Sequence, residues 1–182
     1  MDWTAKVPPG GFWVFGYGSL MWQPGFPHEE SQPARVHGYH RALCLWSWRY
    51  RGSRETPGLV LGLDRGGSCP GMAFRVPRRH REQALRLLDD REMGNRSYRP
   101  LMLPARLADG RRVRLLTFVI SRDNPQYAGK LEFARIVEVV HHAYGERGPN
   151  RDYVLNTVDH LAAMGFPCAR LRAVARALER AR

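Results

Sequence analysis

The chain has 182 residues, 43% of them hydrophobic, and a formal net charge of +12. This length and composition suit one folded domain over residues 1–182 with a full hydrophobic core, and they exclude a long disordered tail. No apolar run approaches the ~18 residues that a membrane-spanning helix needs, and residues 1–11 lack the pattern of a secretory signal, so we expect a cytoplasmic protein with no membrane partner.

The positive charge comes almost entirely from arginine, since only Lys6 and Lys130 of the 29 basic residues are lysine. A basic surface can bind nucleic acid through counterion release. The arginines are scattered, however, and no recognised nucleic-acid motif accompanies them, so we expect no nucleic-acid partner. A basic nucleic-acid-binding module remains the alternative from a different class, and its base-stacking surfaces would be Trp3, Trp13, Trp22, Trp46 and Trp48.

The cysteines and histidines give no metal motif. Cys44, Cys69 and Cys168 match neither a zinc site nor a CxxC redox pair. The histidines include no HExxH helix, and neither His37 with His40 nor the adjacent pair His141 and His142 has a cysteine pair at zinc-ligand spacing. We therefore predict no metal.

The first half of the chain reads as strands and loops. A strand at about Phe12 to Tyr17 is followed by a loop rich in proline and acidic residues, and then by extended aromatic segments around Val36 to Trp48. The stretch Arg51 to Gly58 combines glycines with a proline, which indicates either an ordered turn region or a mobile lid. Leu59 to Asp64 and Met72 to Val76 then predict a hairpin.

A helix, a second hairpin and further helices follow. Pro77 opens a helix that runs to about Met93. Strands near Tyr98 to Ala108 and Arg112 to Ile120 flank the tight turn Asp109-Gly110. Two later helices are predicted to bury one apolar stripe each, consisting of Phe133, Ile136, Val137 and Val140 in the first and Leu171, Val174, Ala175 and Leu178 in the second. Strands first and helices last, without βαβ alternation, predict an α+β fold around a curved or barrel-like sheet.

The glycine turn after the first strand is the first candidate site. Gly16 and Gly18 leave backbone amides uncovered, and such amides can hold a small anion. Glycine turns after strands are also common as purely structural features.

Glu92 is the second candidate site. At ~100° per residue, it falls within the predicted core-facing arc of its helix, which contains Ala84, Leu85, Leu87 and Leu88. A carboxylic acid near an apolar wall has a raised pKa, which suits a general base. Alternatively, Glu92 lies at a frayed helix end and pairs with Arg91, Arg96 or Arg99.

Several motifs occur in a specific order. They are Tyr17-Gly18-Ser19-Leu20 followed by Met21-Trp22, then Arg51-Gly52-Ser53, Pro57-Gly58-Leu59-Val60, Arg91-Glu92 and Asn124-Pro125-Gln126-Tyr127-Ala128-Gly129. Together they resemble the ChaC family of γ-glutamylcyclotransferases, over about residues 12–166.

The resemblance implies a mixed β-barrel with peripheral helices and an enzyme that cleaves glutathione, a small-molecule substrate, to 5-oxoproline and cysteinylglycine without a cofactor. The family's glutamate proton acceptor corresponds to Glu92. Its substrate-binding strand and loop correspond to Val14, Phe15, Gly16, Tyr17, Gly18, Ser19 and Leu20, and Arg51 and Tyr127 belong to motifs that suggest further substrate contacts.

In a γ-glutamyl compound the α-amine can attack its own γ-carbonyl, so the enzyme need not supply a nucleophile. Ser19 follows a strand as hydrolase serines do, but the GxSxG elbow is not present. Two points stay open: whether the loop amides bind the substrate carboxylate or the oxyanion, and whether other γ-glutamyl amino acids or γ-glutamylamines replace glutathione as substrate.

Overall fold

The computed structural model describes residues 3–94 and 96–181; residues 1, 2, 95 and 182 lie outside this description. The chain divides into two compact units, one formed by Met1–Arg41 with Leu63–Ser121 and the other by Ala42–Gly62 with Arg122–Arg182. The expected single domain over residues 1–182 stays a prediction.

The sheet is a closed barrel of five strands in the order β1-β3-β2-β4-β5. The strands are β1 (Phe12–Gly16), β2 (Glu30–Ser47), β3 (Gly58–Val76), β4 (Tyr98–Leu107) and β5 (Arg112–Ile120). Strand β1 pairs antiparallel with β3 and parallel with β5. All five residues of β1 are buried, and since successive side chains point to opposite faces, both faces of this strand are covered. The predicted α+β fold with a barrel-like sheet is confirmed.

The predicted hairpin between Leu59 and Val76 is wrong, since these residues belong to one long strand, β3. Gly66 and Gly67 have φ of +103° and +69°, a conformation that glycine adopts without a steric penalty. Here they interrupt the regular strand locally instead of reversing it, as glycines do in a β-bulge. The hairpin at Gly110, in contrast, joins β4 to β5 as predicted.

Helix α1 (Arg81–Glu92) follows a short 3₁₀ turn, Arg78–His80, so the helix predicted from Pro77 is confirmed with a tighter first turn. Ala84, Leu85 and Leu88 are buried in the same core cluster as residues of β1, β3 and β5. Leu87 was expected on this face but is 39% exposed. The buried arc is therefore narrower than the sequence pattern indicated.

The second unit contains helices α2 (Phe133–His142), α3 (Asn150–Ala163) and α4 (Ala169–Arg180), with the two-stranded sheet β6 (Tyr144–Gly145) and β7 (Gly148–Pro149). The whole predicted stripe of α4 is buried. The α2 stripe is only partly correct, because Phe133 is the first residue of its helix and is 50% exposed. Within the described residues, every helix is too short or too polar to cross a bilayer.

Candidate active site

Strand β1 leads directly into the glycine turn, which we define as Tyr17 to Ser19. The chain then folds into a 3₁₀ turn, Ser19–Met21, closed by a hydrogen bond of 2.8 Å from Met21 N to Gly18 O. Gly16 allows this reversal, because a Cβ there would lie 3.0 Å from the Cβ of Leu20 and 3.1 Å from the Met21 nitrogen. A larger residue would therefore push the turn away from the strand.

The residues flanking the glycine turn are core residues. Val14 and Phe15 have no exposed surface and Leu20 is 5% exposed. Because these side chains pack inside the protein, they support the glycine turn but offer a substrate little side-chain surface. The substrate contacts predicted for Val14, Phe15, Gly16 and Leu20 stay predictions. Main-chain atoms are the groups of these residues best suited to contact a substrate.

The phenol of Tyr17 is fixed inside the first unit. Its hydroxyl donates a hydrogen bond of 3.0 Å to the Phe118 carbonyl on β5, and the residue is 7% exposed. Its own carbonyl oxygen accepts a hydrogen bond from Arg41 Nε. The turn is thus held to β5 through one side chain and to β2 through another.

Glu92 is the last residue of α1, and its side chain is 15% exposed. Burial raises the pKa of the Glu92 carboxyl, while the charge and hydrogen bond of Arg91 act in the opposite direction. Burial is the larger effect, so the pKa lies above its ordinary value. The alternative of pairing with Arg91 is also realised, with Arg91 Nε 3.2 Å from Glu92 Oε1. The helix end is not frayed, because Met93 N still donates to Asp89 O at 2.9 Å.

Arg91 joins Glu92 to the loop that contains the glycine turn. Its Nη2 donates to Ser19 Oγ at 2.8 Å and its Nη1 donates to the Gln23 carbonyl, while its Nε faces Glu92. One guanidinium therefore contacts both candidate sites, which are more than 70 residues apart in the sequence. Sequence analysis named Arg91 as part of a motif but missed this bridging role.

Ser19 is poorly arranged to act as a nucleophile. Its hydroxyl oxygen accepts a hydrogen bond from the cationic Arg91. A nucleophilic serine also needs a base that takes its proton, and this contact does not supply one. This geometry agrees with a reaction in which the substrate's own amine attacks.

Arg51 and Tyr127 lie in the second unit. Arg51 Nη1 donates to the Arg147 carbonyl and, at 3.5 Å, to the Pro149 carbonyl. The Tyr127 backbone forms an isolated bridge with Leu45. Both residues support the local structure of this unit, and their contact with substrate stays a prediction.

The Arg51 to Gly58 loop closes tightly on itself. A Cβ on Gly52 would lie 2.1 Å from Gly58 N, and a Cβ on Gly58 would lie 2.0 Å from Arg51 O. Ser53 N also donates to Thr56 O at 2.9 Å. Of the two possibilities left open by the sequence, these contacts favour an ordered scaffold over a mobile lid.

Comparison with known proteins identifies the family. The family model described as ChaC-like protein matches residues 12–179. The chain belongs to this family. Within the described residues, this ChaC-like protein has no group of three His, Cys, Asp or Glu side chains placed to hold a metal ion; the predicted absence of a metal and a cofactor stays a prediction.

Named relatives and a solved structure agree with the family assignment. The ChaC-like protein is 36% identical over 163 residues to a glutathione-specific gamma-glutamylcyclotransferase of Escherichia coli K12, covering 90% of this chain and 71% of that protein. It is 30% identical over 161 residues to human glutathione-specific gamma-glutamylcyclotransferase 1, covering 86% of this chain and 72% of that protein. A crystal structure of a glutathione-specific yeast cyclotransferase superimposes with a TM-score of 0.82 at 20% identity. The superposition covers 95% of this chain and 97% of the yeast chain, and it supports the fold.

Proposed function

We propose that this ChaC-like protein is a γ-glutamylcyclotransferase that converts glutathione to 5-oxoproline and cysteinylglycine. The names of its relatives support the substrate class. The observation that carries the proposal is the Arg91 bridge, which links a largely buried carboxylate, Glu92, to the glycine turn, where Gly18 is half-buried and Ser19 is exposed. These are a proton acceptor and an anion-binding surface, the two elements that an intramolecular cyclisation requires.

The reaction needs no external nucleophile. The α-amine of the γ-glutamyl group attacks its own γ-carbonyl carbon, the new C–N bond closes a five-membered lactam, and the bond to the cysteine nitrogen breaks. The attacking ammonium nitrogen loses two protons on becoming the lactam N–H. The departing amide nitrogen gains one proton to leave as an amine, and the second proton goes to that amine, which becomes an ammonium, or to solvent. No water is consumed, because the new C–N bond replaces the one that breaks. Holding the substrate folded supplies much of the rate, because a near-attack geometry can be worth several kcal/mol.

Glu92 carries the protons in this scheme. It takes one from the α-ammonium and later delivers one to the departing nitrogen. Burial favours this exchange, because a pKa raised towards neutrality makes the carboxylate a better acceptor and the carboxylic acid still able to donate. Arg91 orients the carboxylate through Oε1 and leaves Oε2 for the substrate.

The glycine turn binds a negatively charged oxygen of the substrate. Peptide N–H groups that are fixed before the reaction stabilise negative charge without reorganising. Tyr17 and Ser19 anchor the two ends of the turn through Phe118 and Arg91. The predicted cytoplasmic location stays a prediction and fits a substrate found inside cells.

Incubation of the purified protein with glutathione tests the proposal. We expect 5-oxoproline and cysteinylglycine in equal amounts, measured by mass spectrometry, with no release of glutamate. Glutamate in place of 5-oxoproline would mean hydrolysis and would contradict cyclisation. A γ-glutamyl amino acid and a γ-glutamylamine are assayed in parallel, and turnover of either one with inactivity towards glutathione would replace glutathione as the substrate.

A further inference from the structure

Arg41 is a buried cation that has no carboxylate partner among the residues described by the structure. The residue is 6% exposed. Its Nε donates to the Tyr17 carbonyl, and its Nη2 donates to the Pro70 carbonyl at 2.9 Å and lies 3.7 Å from the sulfur of Met21. Among residues 3–94 and 96–181, none of its contacts is with Asp or Glu. All of its partners are therefore neutral.

Burying a charge is costly unless an opposite charge compensates it. Neutral carbonyls satisfy the N–H groups of Arg41, but they do not cancel its charge. Exposed arginines on the same strand carry no such cost, and Arg35, whose Nη1 donates to Ser68 Oγ, is an example. A buried guanidinium whose hydrogen-bond partners are neutral leaves a positive field next to the turn to which it is bonded.

The hydrogen bond to Tyr17 also fixes the direction of the turn. The Tyr17 carbonyl belongs to the peptide group whose N–H is that of Gly18, so holding the oxygen on one side directs the Gly18 N–H to the other side. Arg41 thus controls both the orientation of this amide and the electrostatic potential around it.

We infer that Arg41 is a positioning residue that makes the glycine turn selective for a negatively charged oxygen of the substrate. This inference rests on the proposed function. The oxygen belongs either to a carboxylate of the bound substrate or to the oxyanion that develops at the γ-carbonyl. Both carry the same charge, and steady-state kinetics separates them: loss of a carboxylate contact raises KM, whereas loss of an oxyanion contact lowers kcat.

The test compares Arg41→Gln with Arg35→Gln, which removes one arginine from the exposed part of the same strand. We expect R35Q to keep the wild-type kcat/KM for glutathione and R41Q to lose about 10- to 100-fold, the range for one well-placed charged contact. Arg41→Lys, which keeps the charge but cannot form the same forked contacts, should fall between them. A folded R41Q with a kcat/KM within about twofold of R35Q would overturn the inference.

Ligand binding separates charge selectivity from simple damage to the fold. The probes are 5-oxoproline, which carries a carboxylate, and 2-pyrrolidinone, the same ring without it, each titrated while the Gly18 amide is followed by NMR. If the turn binds a carboxylate, R41Q loses affinity for 5-oxoproline much more than for 2-pyrrolidinone; if it binds the oxyanion, both affinities are kept and only kcat falls. Equal weakening of both probes, in proportion to lost stability, would overturn the inference.

Two further outcomes are decisive. If R41Q does not fold, R41K is titrated in its place, and loss of the 5-oxoproline preference despite the retained charge would contradict the inference. If the wild-type protein neither cleaves glutathione nor binds 5-oxoproline, the proposed function is wrong and the inference falls with it. An active wild type with an unaffected R41Q refutes the inference alone.

Discussion

Replacing Glu92 by glutamine removes the proposed proton carrier and keeps the shape of the side chain. Glu92 is 15% exposed at the end of α1, and the amide oxygen of glutamine can still accept a hydrogen bond from Arg91 Nε. The helix end is held independently by the bond from Met93 N to Asp89 O. We therefore expect Glu92→Gln to stay folded and to lose only the carboxylate that we propose carries the proton.

The expected loss can be divided between the two proton transfers. General acid–base catalysis by one side chain contributes about 10²- to 10⁴-fold, or about 2.7 to 5.4 kcal/mol of activation free energy. The α-amine of a γ-glutamyl group lies beside a free α-carboxylate, which raises its pKa above the ~8 of a peptide amino terminus. Less than about one-tenth of it is unprotonated at pH 7, so removing its proton accounts for at least about tenfold. The rest of the factor belongs to protonation of the departing nitrogen.

This division predicts a pH dependence for the variant. As the pH rises from about 7 to about 9, the free-amine fraction of the substrate increases by about 10- to 100-fold, and E92Q should recover kcat/KM by no more than this factor. The wild type should instead lose activity on the acid side, where Glu92 is protonated. Because burial raises its pKa, this loss should begin at a higher pH than an exposed glutamate would give.

The assay follows 5-oxoproline formation from glutathione from about pH 4 to about pH 9 for the wild type, E92Q and the control Glu82→Gln. Glu82 lies on the same helix, its side chain is 72% exposed, and its partner is Arg81. The control should keep wild-type kinetics. If folded E92Q has a kcat/KM within about threefold of E82Q, Glu92 is not the base. If E92Q recovers completely at high pH, Glu92 does not protonate the leaving nitrogen.

Three further predictions concern stability. Burial raises the pKa of Glu92 above its unfolded value, so ionisation of Glu92 destabilises the folded state as the pH rises. In urea unfolding at pH about 7, E92Q should therefore be more stable than the wild type. The difference in unfolding free energy should vanish below pH about 4, where Glu92 is protonated in both states. Gly71→Ala would place a Cβ 2.3 Å from Gly16 O and 2.7 Å from Phe15 Cζ, and should cost about 1 to 3 kcal/mol. The control Gly10→Ala has nothing within 4 Å and should melt like the wild type; equal melting temperatures for the two variants would contradict this packing. Tyr17→Phe loses the bond to Phe118 O, which should cost about 1 kcal/mol and lower Tm by about 2 to 4 °C; an unchanged Tm by calorimetry would show that this bond adds no net stability.

Features that are determined by residues close together in the sequence could be predicted from it. The β4–β5 hairpin follows from Asp109-Gly110, and the buried face of α4 follows from its spacing of apolar residues. The error at β3 arises because two successive glycines are compatible with either a turn or a bulge, and the choice depends on strand partners elsewhere in the chain. The burial of Glu92 was predictable because Leu85 and Leu88 mark its face of the helix.

The arginine contacts that organise the candidate site were not predictable in the same way. Arg91 reaches Ser19, and Arg41 reaches Tyr17, across long sequence separations. Nothing in the local pattern separates these two residues from the other arginines of the chain. Burial distinguishes Arg41 and the identity of the acceptor distinguishes Arg91, and both properties depend on the folded chain. Gly71 is similar, because its lack of space depends on the end of β1.

The two arginines also determine the charge of the candidate site. Arg41 and Arg91 contact the ends of the glycine turn, and Glu92 is the carboxylate paired with Arg91. With Glu92 ionised, this group has one excess positive charge. Glutathione with its thiol protonated carries two carboxylates and one ammonium, a net charge of −1, so its binding would neutralise the group. Proton transfer from the α-ammonium to Glu92 then adds no net charge to the complex. A partly buried site, where uncompensated charge is costly, can therefore accommodate both the substrate and the proton transfer.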